Sequence, residues 1–338
     1  DLAIALSYLL AAEEIDFDPK NKLFLGELSL DGSLRSVRGV LPVAKFAKEE
    51  GFKEIFVPKE NAKEAALIDG LTVYGLENLK ELLAHLSGEK LLKPTPHTKF
   101  AKSEQKFSVD FADVKGQERA KRGLLIAAAG GHNVAMYGPP GTGKTMLAKA
   151  FAGILPELTF DEALEATSIY SVAGALGGFI TNPPFRSPHH TSSYVSLVGG
   201  GATPKPGEIT LAHRGVLFMD EFPEFERRVI ESLRQPLEDK IITVARAKGT
   251  ARFPADVILV AAMNPCQCGN FGFRGKQCIC TPSALQRYRR KMSGPIVDRI
   301  DIWLEVDRVL PHDLSDGPEG AGSFVYRKKV SDAREVQR

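Results

Sequence analysis

The eight residues Gly138-Pro139-Pro140-Gly141-Thr142-Gly143-Lys144-Thr145 constrain this chain more than any other stretch, because they fill the pattern G-x-x-x-x-G-K-T completely. Asn133-Val134-Ala135-Met136-Tyr137 before them is short and apolar, as a buried strand is, and Met146-Leu147-Ala148-Lys149-Ala150-Phe151-Ala152 after them has helix-forming composition. A glycine-rich loop between a strand and a helix points successive backbone N–H groups at phosphate oxygens, and the helix N-terminus adds partial positive charge. Lys144 is expected to neutralise the β- and γ-phosphates of ATP, and the Thr145 hydroxyl to ligate Mg2+. Gly138 through Thr145 are therefore the candidate nucleotide-binding residues.

A second apolar run, Gly215-Val216-Leu217-Phe218-Met219, ends in Asp220-Glu221. A buried strand that stops in two carboxylates places them at its carboxyl end, where α/β sheets bind ligands. Asp220 is expected in the Mg2+ shell, and Glu221 is expected to orient and polarise an attacking water. An acidic turn after a strand is the plain alternative, and the phosphate loop upstream weighs against it. The segment Phe111-Ala112-Asp113-Val114-Lys115-Gly116-Gln117-Glu118, leading into a helix that ends at Gly130-Gly131, resembles the stretch that precedes the phosphate loop in AAA+ ATPases. In that fold the residue ending the strand Val257–Asn264 lies between γ-phosphate and water, so the resemblance implies Asn264 as a sensor. Gly294-Pro295-Ile296-Val297-Asp298-Arg299 precedes a further strand, Ile302 to Val306, and offers an arginine at a sheet edge. Arg299 is the candidate to reach the γ-phosphate of a neighbouring subunit, with a surface salt bridge as the plain alternative.

At 338 residues, 43% hydrophobic and 25% charged, the chain has the composition of a soluble globular protein of about two domains. No apolar run approaches the roughly 18 residues of a membrane span, and a signal-peptide pattern is absent, so no membrane partner and a cytoplasmic location are expected. A net charge of +2 argues neither for nor against nucleic acid. Asp1 in place of a methionine and a helix-like run ending at Arg338 lead us to expect a piece of a longer protein.

Residues 1–88 read as a smaller α/β domain, incomplete at its N-terminus. A buried helix is predicted over Asp1–Glu14, strands at Leu23–Ser29, Glu54–Pro58 and Leu71–Tyr74, and helices at Arg38–Glu50, at Asn61–Ile68 with Asn61 as cap, and at Glu77–Leu86. Gly26-Glu27-Leu28-Ser29-Leu30-Asp31-Gly32 with Val57-Pro58-Lys59-Glu60-Asn61 resembles the proteolytic domain of the Lon family, a ribosomal S5-like fold. In register with that resemblance the catalytic lysine position falls on Leu41 and the serine position at Asp1, so a non-peptidase domain is expected. A lysine- and proline-bearing linker is read at 89–108, the motor domain at 109–310, and a loop with the start of an incomplete C-terminal lid at 311–338.

Pro184-Phe185-Arg186-Ser187-Pro188-His189-His190-Thr191, Gly199-Gly200-Gly201, Pro206-Gly207-Glu208-Ile209, Leu233-Arg234-Gln235-Pro236-Leu237-Glu238-Asp239 and Ala261-Ala262-Met263-Asn264-Pro265-Cys266 together resemble the ComM/YifB family of Mg-chelatase-like AAA+ ATPases, over essentially the whole chain. The resemblance implies an AAA+ P-loop core of parallel sheet flanked by helices, preceded by the Lon-like domain. It also implies self-association into a ring, a hexamer, with DNA as partner and branch migration or unwinding as output. A chelatase-type motor driving metal insertion into a tetrapyrrole is the first rival, and a nucleotide-gated scaffold with negligible turnover, against which Glu221 speaks, is the second. Phe179–Gly201 is read as an insertion loop of the kind that lines the channel in hexameric relatives. His189-His190 is not expected to form a metal site, since adjacent histidines have no third ligand near. Lys240–Arg252 alternates like a hairpin, and its Arg246, Lys248 and Arg252 are read equally as DNA-phosphate contacts or as a solvated face. Finally, Cys266, Cys268, Cys278 and Cys280 form two C-x-C pairs nine residues apart, with Gly269, Gly272 and Gly275 between. Four thiolates on a tight loop suit tetrahedral Zn2+; reduced structural thiols or a redox staple are the alternatives.

Overall fold

Short apolar runs bounded by turn residues supply the strands of two parallel sheets, and the segments between them with helical periodicity supply the covering layers. The structure is a computed structural model that describes residues 1–98, 107–201, 204–246, 249–273, 276–292, 294–309 and 320–337, and of Arg246 the backbone alone. Lys248, Gly275, linker residues 99–106 and residues 310–319 lie outside the described residues. The chain divides into two units, one of residues 1–102 with 167–179 and one of residues 103–166 with 180–338. Among the described residues no helix is long and apolar enough to cross a membrane.

In the first unit, helices Leu2–Ala11 (α1), Val40–Glu49 (α2), Lys59–Ala65 (α3) and Leu79–Leu86 (α4) accompany strands Lys22–Phe24 (β1), Glu54–Pro58 (β2) and Thr72–Leu76 (β3). The strands form a parallel sheet in the order β1-β2-β3. Phe56 stacks between Phe24 and Tyr74 with ring centroids 4.9 Å away on either side, and Leu2, Leu6, Leu76 and Leu82 close this core. Asn78 caps α4 by accepting from the Glu81 N–H at 2.9 Å, an interaction of about 1 kcal/mol. Three expectations are corrected. Helix α1 is buried on one stripe only, with Ile4 and Tyr8 exposed. The predicted strand Leu23–Ser29 breaks after Phe24, and Glu27–Leu28 pairs with Leu34–Arg35 in a separate ladder. Asn61 is no cap: α3 starts at Lys59, and the Asn61 amide instead holds the Val37 N–H and carbonyl, both at 3.0 Å.

The second unit is built on helices Glu118–Gly130 (α5) and Lys144–Ile154 (α6), the first part of Phe160–Ala173 (α7), and a sheet of Val134–Tyr137 (β4), Phe185–Arg186 (β5), Val216–Met219 (β6), Ile258–Met263 (β9) and Ile302–Glu305 (β10), with the hairpin Ile241–Arg246 (β7) and Gly249–Pro254 (β8) beside it. All five core strands run parallel, in the order β10-β4-β9-β6-β5. Both faces of the sheet are covered, which is why its central strands read as unbroken apolar runs rather than alternating ones. Strand alternation sends Val134, Met136, Val216, Phe218 and Val260 into a core with Leu124 of α5 and Leu147 and Phe151 of α6. Ala135, Leu217, Met219, Leu259 and Ala261 go to the opposite face, against Ile209, Val229, Ile230 and Ile242. Each such large side chain contributes about 1.5–3 kcal/mol by leaving water.

One expectation fails in this unit. The stretch predicted as an insertion loop contains the edge strand of the core sheet, since Phe185 and Arg186 pair with Val216 and Leu217, and Tyr194–Val198 is helical. Prolines at 183, 184 and 188 hid it, because a strand of two residues paired on one side tolerates proline at its flanks. At the other end of the unit, helix Ser323–Gln337 (α9) packs on the core through two arginine forks. Arg327 donates to the Gly153 carbonyl at 3.0 and 2.8 Å, and Arg334 to that of Ala128 at 3.0 and 2.7 Å, satisfying carbonyls in the last turns of α6 and α5. Helix Pro282–Arg290 (α8) follows the cysteine loop.

Candidate functional site

The loops after β4, β6 and β9 leave the same edge of a parallel sheet, so the sheet itself gathers the groups that the sequence scatters. The phosphate loop leaves β4 at Gly138, whose N–H donates to the Met263 carbonyl at 3.2 Å. A Cβ on Gly138 would sit 2.0 Å from the Val306 carbonyl oxygen, so only glycine lets the loop leave here. Gly143, with φ of +89°, makes the left-handed turn into α6.

Lys144 opens α6, and its Nζ donates to the Gly138 and Pro139 carbonyls at 2.8 Å each and to Asn264 Oδ1 at 3.3 Å. It is only 8% exposed, and that burial pushes its pKa below the usual lysine range while the Asp220 charge pulls it back up. The Thr145 hydroxyl donates to Asp220 Oδ2 at 2.7 Å. Two hard oxygen donors already in contact beside a buried ammonium are the donor set that Mg2+ takes, so Thr145 and Asp220 fit a Mg2+ shell.

The chain turns at Glu221, whose φ of +51° lies in the left-handed region that costs a non-glycine residue about 1–2 kcal/mol. The turn sends the two carboxylates apart. Asp220 reaches Thr145, whereas Glu221, 56% exposed at its side chain, meets His190 Nδ1 at 3.0 Å. The reading of His189-His190 found no metal role, and it also missed this contact, for which no local pattern exists: β5 delivers His190 to the end of β6 only once the sheet has formed.

Asn264 follows β9 and faces Lys144 through its side chain, while its carbonyl accepts from the Tyr288 hydroxyl of α8 at 3.0 Å. Burial, with help from the Glu224 charge, pushes the Tyr288 phenol up to about 12, so it remains a donor at neutral pH. Tyr288 is a further residue the sequence did not single out. So is Gln117, whose Nε2 donates to the Asp307 carbonyl at 2.6 Å and which holds the entry to α5 with φ of +59°.

Arg299 stands apart from this group. Its Nη2 donates to Glu238 Oε1 at 2.7 Å, its side chain is 42% exposed, and among the described residues no hydrogen bond or ion pair joins it to the phosphate loop. Its backbone is nevertheless anchored, because Asn133 at the start of β4 donates from Nδ2 to the Arg299 carbonyl at 3.0 Å and accepts at Oδ1 from the Leu259 N–H at 2.9 Å. Of the three basic hairpin residues, Arg252 is exposed on β8. The four cysteine sulfurs come together within 4.8 Å of one another.

The profile of the magnesium chelatase subunit ChlI family matches residues 110–314, and a second profile for subunit ChlI of Mg-chelatase matches residues 1–61. The competence protein ComM of Haemophilus influenzae is 43% identical over 345 residues, covering 100% of this chain and 67% of the relative. The uncharacterized protein YifB of Escherichia coli is 43% identical over 342 residues, covering 100% and 66%, and an uncharacterized protein of Mycobacterium tuberculosis is 43% identical over 341 residues, covering 99% and 67%. The chain thus spans about two thirds of the length of the curated relatives it matches. With a five-stranded parallel sheet, a phosphate loop and these matches along its whole length, the chain belongs to the ComM/YifB family of Mg-chelatase-type AAA+ ATPases.

Proposed function

We propose that this chain hydrolyses ATP as one subunit of a hexameric ring and uses the energy to move a DNA strand through the ring's channel, with branch migration or unwinding as the output. The observation that carries the nucleotide half of this reading is the convergence of Lys144, Thr145, Asp220 and Asn264 at the ends of three adjacent strands. The loop N–H groups and the start of α6 bind the phosphates, and Lys144 exchanges its loop carbonyls for β- and γ-phosphate oxygens. Thr145 and Asp220 would hold a Mg2+ ion, which when bound would supply neutralisation of the phosphate charge. Glu221 orients the attacking water and takes its proton, starting from the orientation that His190 sets. Asn264, positioned from behind by Tyr288, aligns the γ-phosphate with that water. Arg299 acts on the neighbour's γ-phosphate once it leaves Glu238.

DNA as the partner is supported by the relative named for competence and by the basic hairpin that carries Arg246, Lys248 and Arg252. The family description favours a second reading, an ATPase subunit that drives metal insertion into a tetrapyrrole. ATP turnover by the purified protein, measured alone and with single-stranded, double-stranded and forked DNA, separates them. Stimulation by one DNA form supports the motor, whereas turnover indifferent to all three rejects DNA as the partner. The front unit is proposed to lack peptidase activity, since fully buried Leu41 stands where a catalytic lysine is needed; cleavage of a casein-type substrate by the protein would overturn this.

A further inference from the structure

The loop between β9 and α8 carries every cysteine of the chain, and none is bonded to another. Their spacing is informative. Cys266 and Cys268 sulfurs lie 3.4 Å apart, Cys266 and Cys278 3.8 Å, and Cys268 and Cys278 3.6 Å, with Cys280 completing a group that spans at most 4.8 Å. A disulfide holds its sulfurs at about 2.05 Å. A tetrahedron of thiolates around zinc, with Zn–S of about 2.3 Å, has edges of about 3.8 Å. The observed separations are edges of such a tetrahedron and not bonds.

The surroundings suit thiolates. The Phe271 N–H points at Cys266 Sγ at 3.4 Å and the Asn270 amide at Cys268 Sγ at 3.9 Å, so donors face the sulfurs where negative charge would collect. Gly269, with φ of +79°, folds the first C-x-C pair back, its N–H donating to the Cys266 carbonyl at 3.0 Å. Four sulfur donors with no carboxylate or imidazole select a thiophilic ion, and four protein ligands leave no open position for catalysis.

The position of the loop gives such an ion a use. Cys266 follows Asn264 by two residues, and Cys280 precedes by two the start of α8, which brings the Tyr288 hydroxyl to the Asn264 carbonyl. A Cβ on Gly269 would lie 2.6 Å from Cδ of Pro140, so the cysteine loop rests directly on the phosphate loop. We propose that Cys266, Cys268, Cys278 and Cys280 bind one zinc ion in a closed tetrathiolate centre that clamps this loop against Pro140 and thereby fixes Asn264. This goes beyond the ATPase reading, and its metal arm does not depend on turnover.

Metal analysis of the protein, purified without chelator, is expected to give one zinc per chain, and cobalt exchanged into the site is expected to show the thiolate charge-transfer and tetrahedral d–d bands. Cys268→Ser and Cys278→Ser should each lose the ion. Should either variant fail to fold, a mercurial titration of the wild type decides the matter, since zinc should leave in step with modification of four thiols. Absence of metal, stoichiometric iron, or a disulfide among the four found by mass spectrometry overturns the site. For the clamp, zinc removal from reduced wild type should weaken MgATP binding several-fold, with recovery when zinc is restored. Binding that is unchanged in the zinc-free, folded protein overturns the clamp and leaves the nucleotide site as it was.

Discussion

The two halves of the candidate site are built on opposite principles. The phosphate-facing half is backbone: glycines at special dihedrals, carbonyls and N–H groups pinned to neighbouring strands, and a lysine only 8% exposed. The half assigned to hydrolysis is side chain: Glu221 and Arg299, at 56% and 42% exposed, rest on side chains from elsewhere in the unit, Glu221 against His190 and Arg299 in an ion pair with Glu238. Exposed pairs of this kind contribute about 0–1 kcal/mol, so they are easily exchanged. The contrast teaches that the groups proposed to bind phosphate are already fixed by this chain's own backbone, whereas the groups assigned to turnover rest on partners they can leave.

Substitutions can break or sharpen that contrast. The largest effect is expected at Lys144→Ala, which should abolish ATP binding, while Glu221→Gln should keep ATP affinity and lose about 10²–10⁴-fold in kcat. Equal ATP affinity of wild type and Lys144→Ala in a direct binding titration would sink the division of labour. Next, Arg299→Ala should lower turnover about 10³-fold or more without touching ATP binding, and Arg299→Lys should be impaired too because it lacks the planar fork. Mixing Arg299→Ala with Lys144→Ala should restore part of the activity, since mixed rings contain interfaces with an intact loop and an intact arginine. No recovery in rings shown to be mixed places Arg299 within its own subunit's structure instead.

A smaller effect is expected at His190→Ala, a loss in kcat of less than about tenfold with unchanged ATP affinity, because the carboxylate that carries out the proton transfer remains and only its orientation is lost. Steady-state kinetics beside a binding titration checks it, and a KM effect with constant kcat would contradict it. The smallest is expected on the hairpin: removing charge at Arg246, Lys248 or Arg252 should flatten the negative slope of log affinity for DNA against log salt by about one per residue, with ATP binding unaffected. An unaltered slope returns these residues to a solvated face.

What was legible in the sequence follows from how each feature is encoded. Strands β4, β6 and β9 are buried on both faces, so each is a continuous apolar run, and each stops at a residue of a different chemical type. That made Lys144, Asp220, Glu221 and Asn264 findable. Edge strand β5 escaped notice because pairing on one side asks little of two residues set among prolines. Asn61 looked like a cap because Asn caps helices by a local bond, yet its amide is used over a distance of 24 residues, on Val37. The contact of His190 with Glu221 is of the same non-local kind, encoded in strand order rather than in any stretch of letters.

Asn133 carries a consequence for communication. One amide side chain ties the Arg299 carbonyl to the β9 backbone at Leu259, and it does so from the root of the strand whose far end becomes the phosphate loop. In the proposed ring, the arginine a subunit would offer to its neighbour and its own phosphate loop are therefore tied to one strand, β4. Were ATP binding in that ring to tilt the strand, these two hydrogen bonds would carry the Arg299 backbone with it, toward the neighbouring subunit.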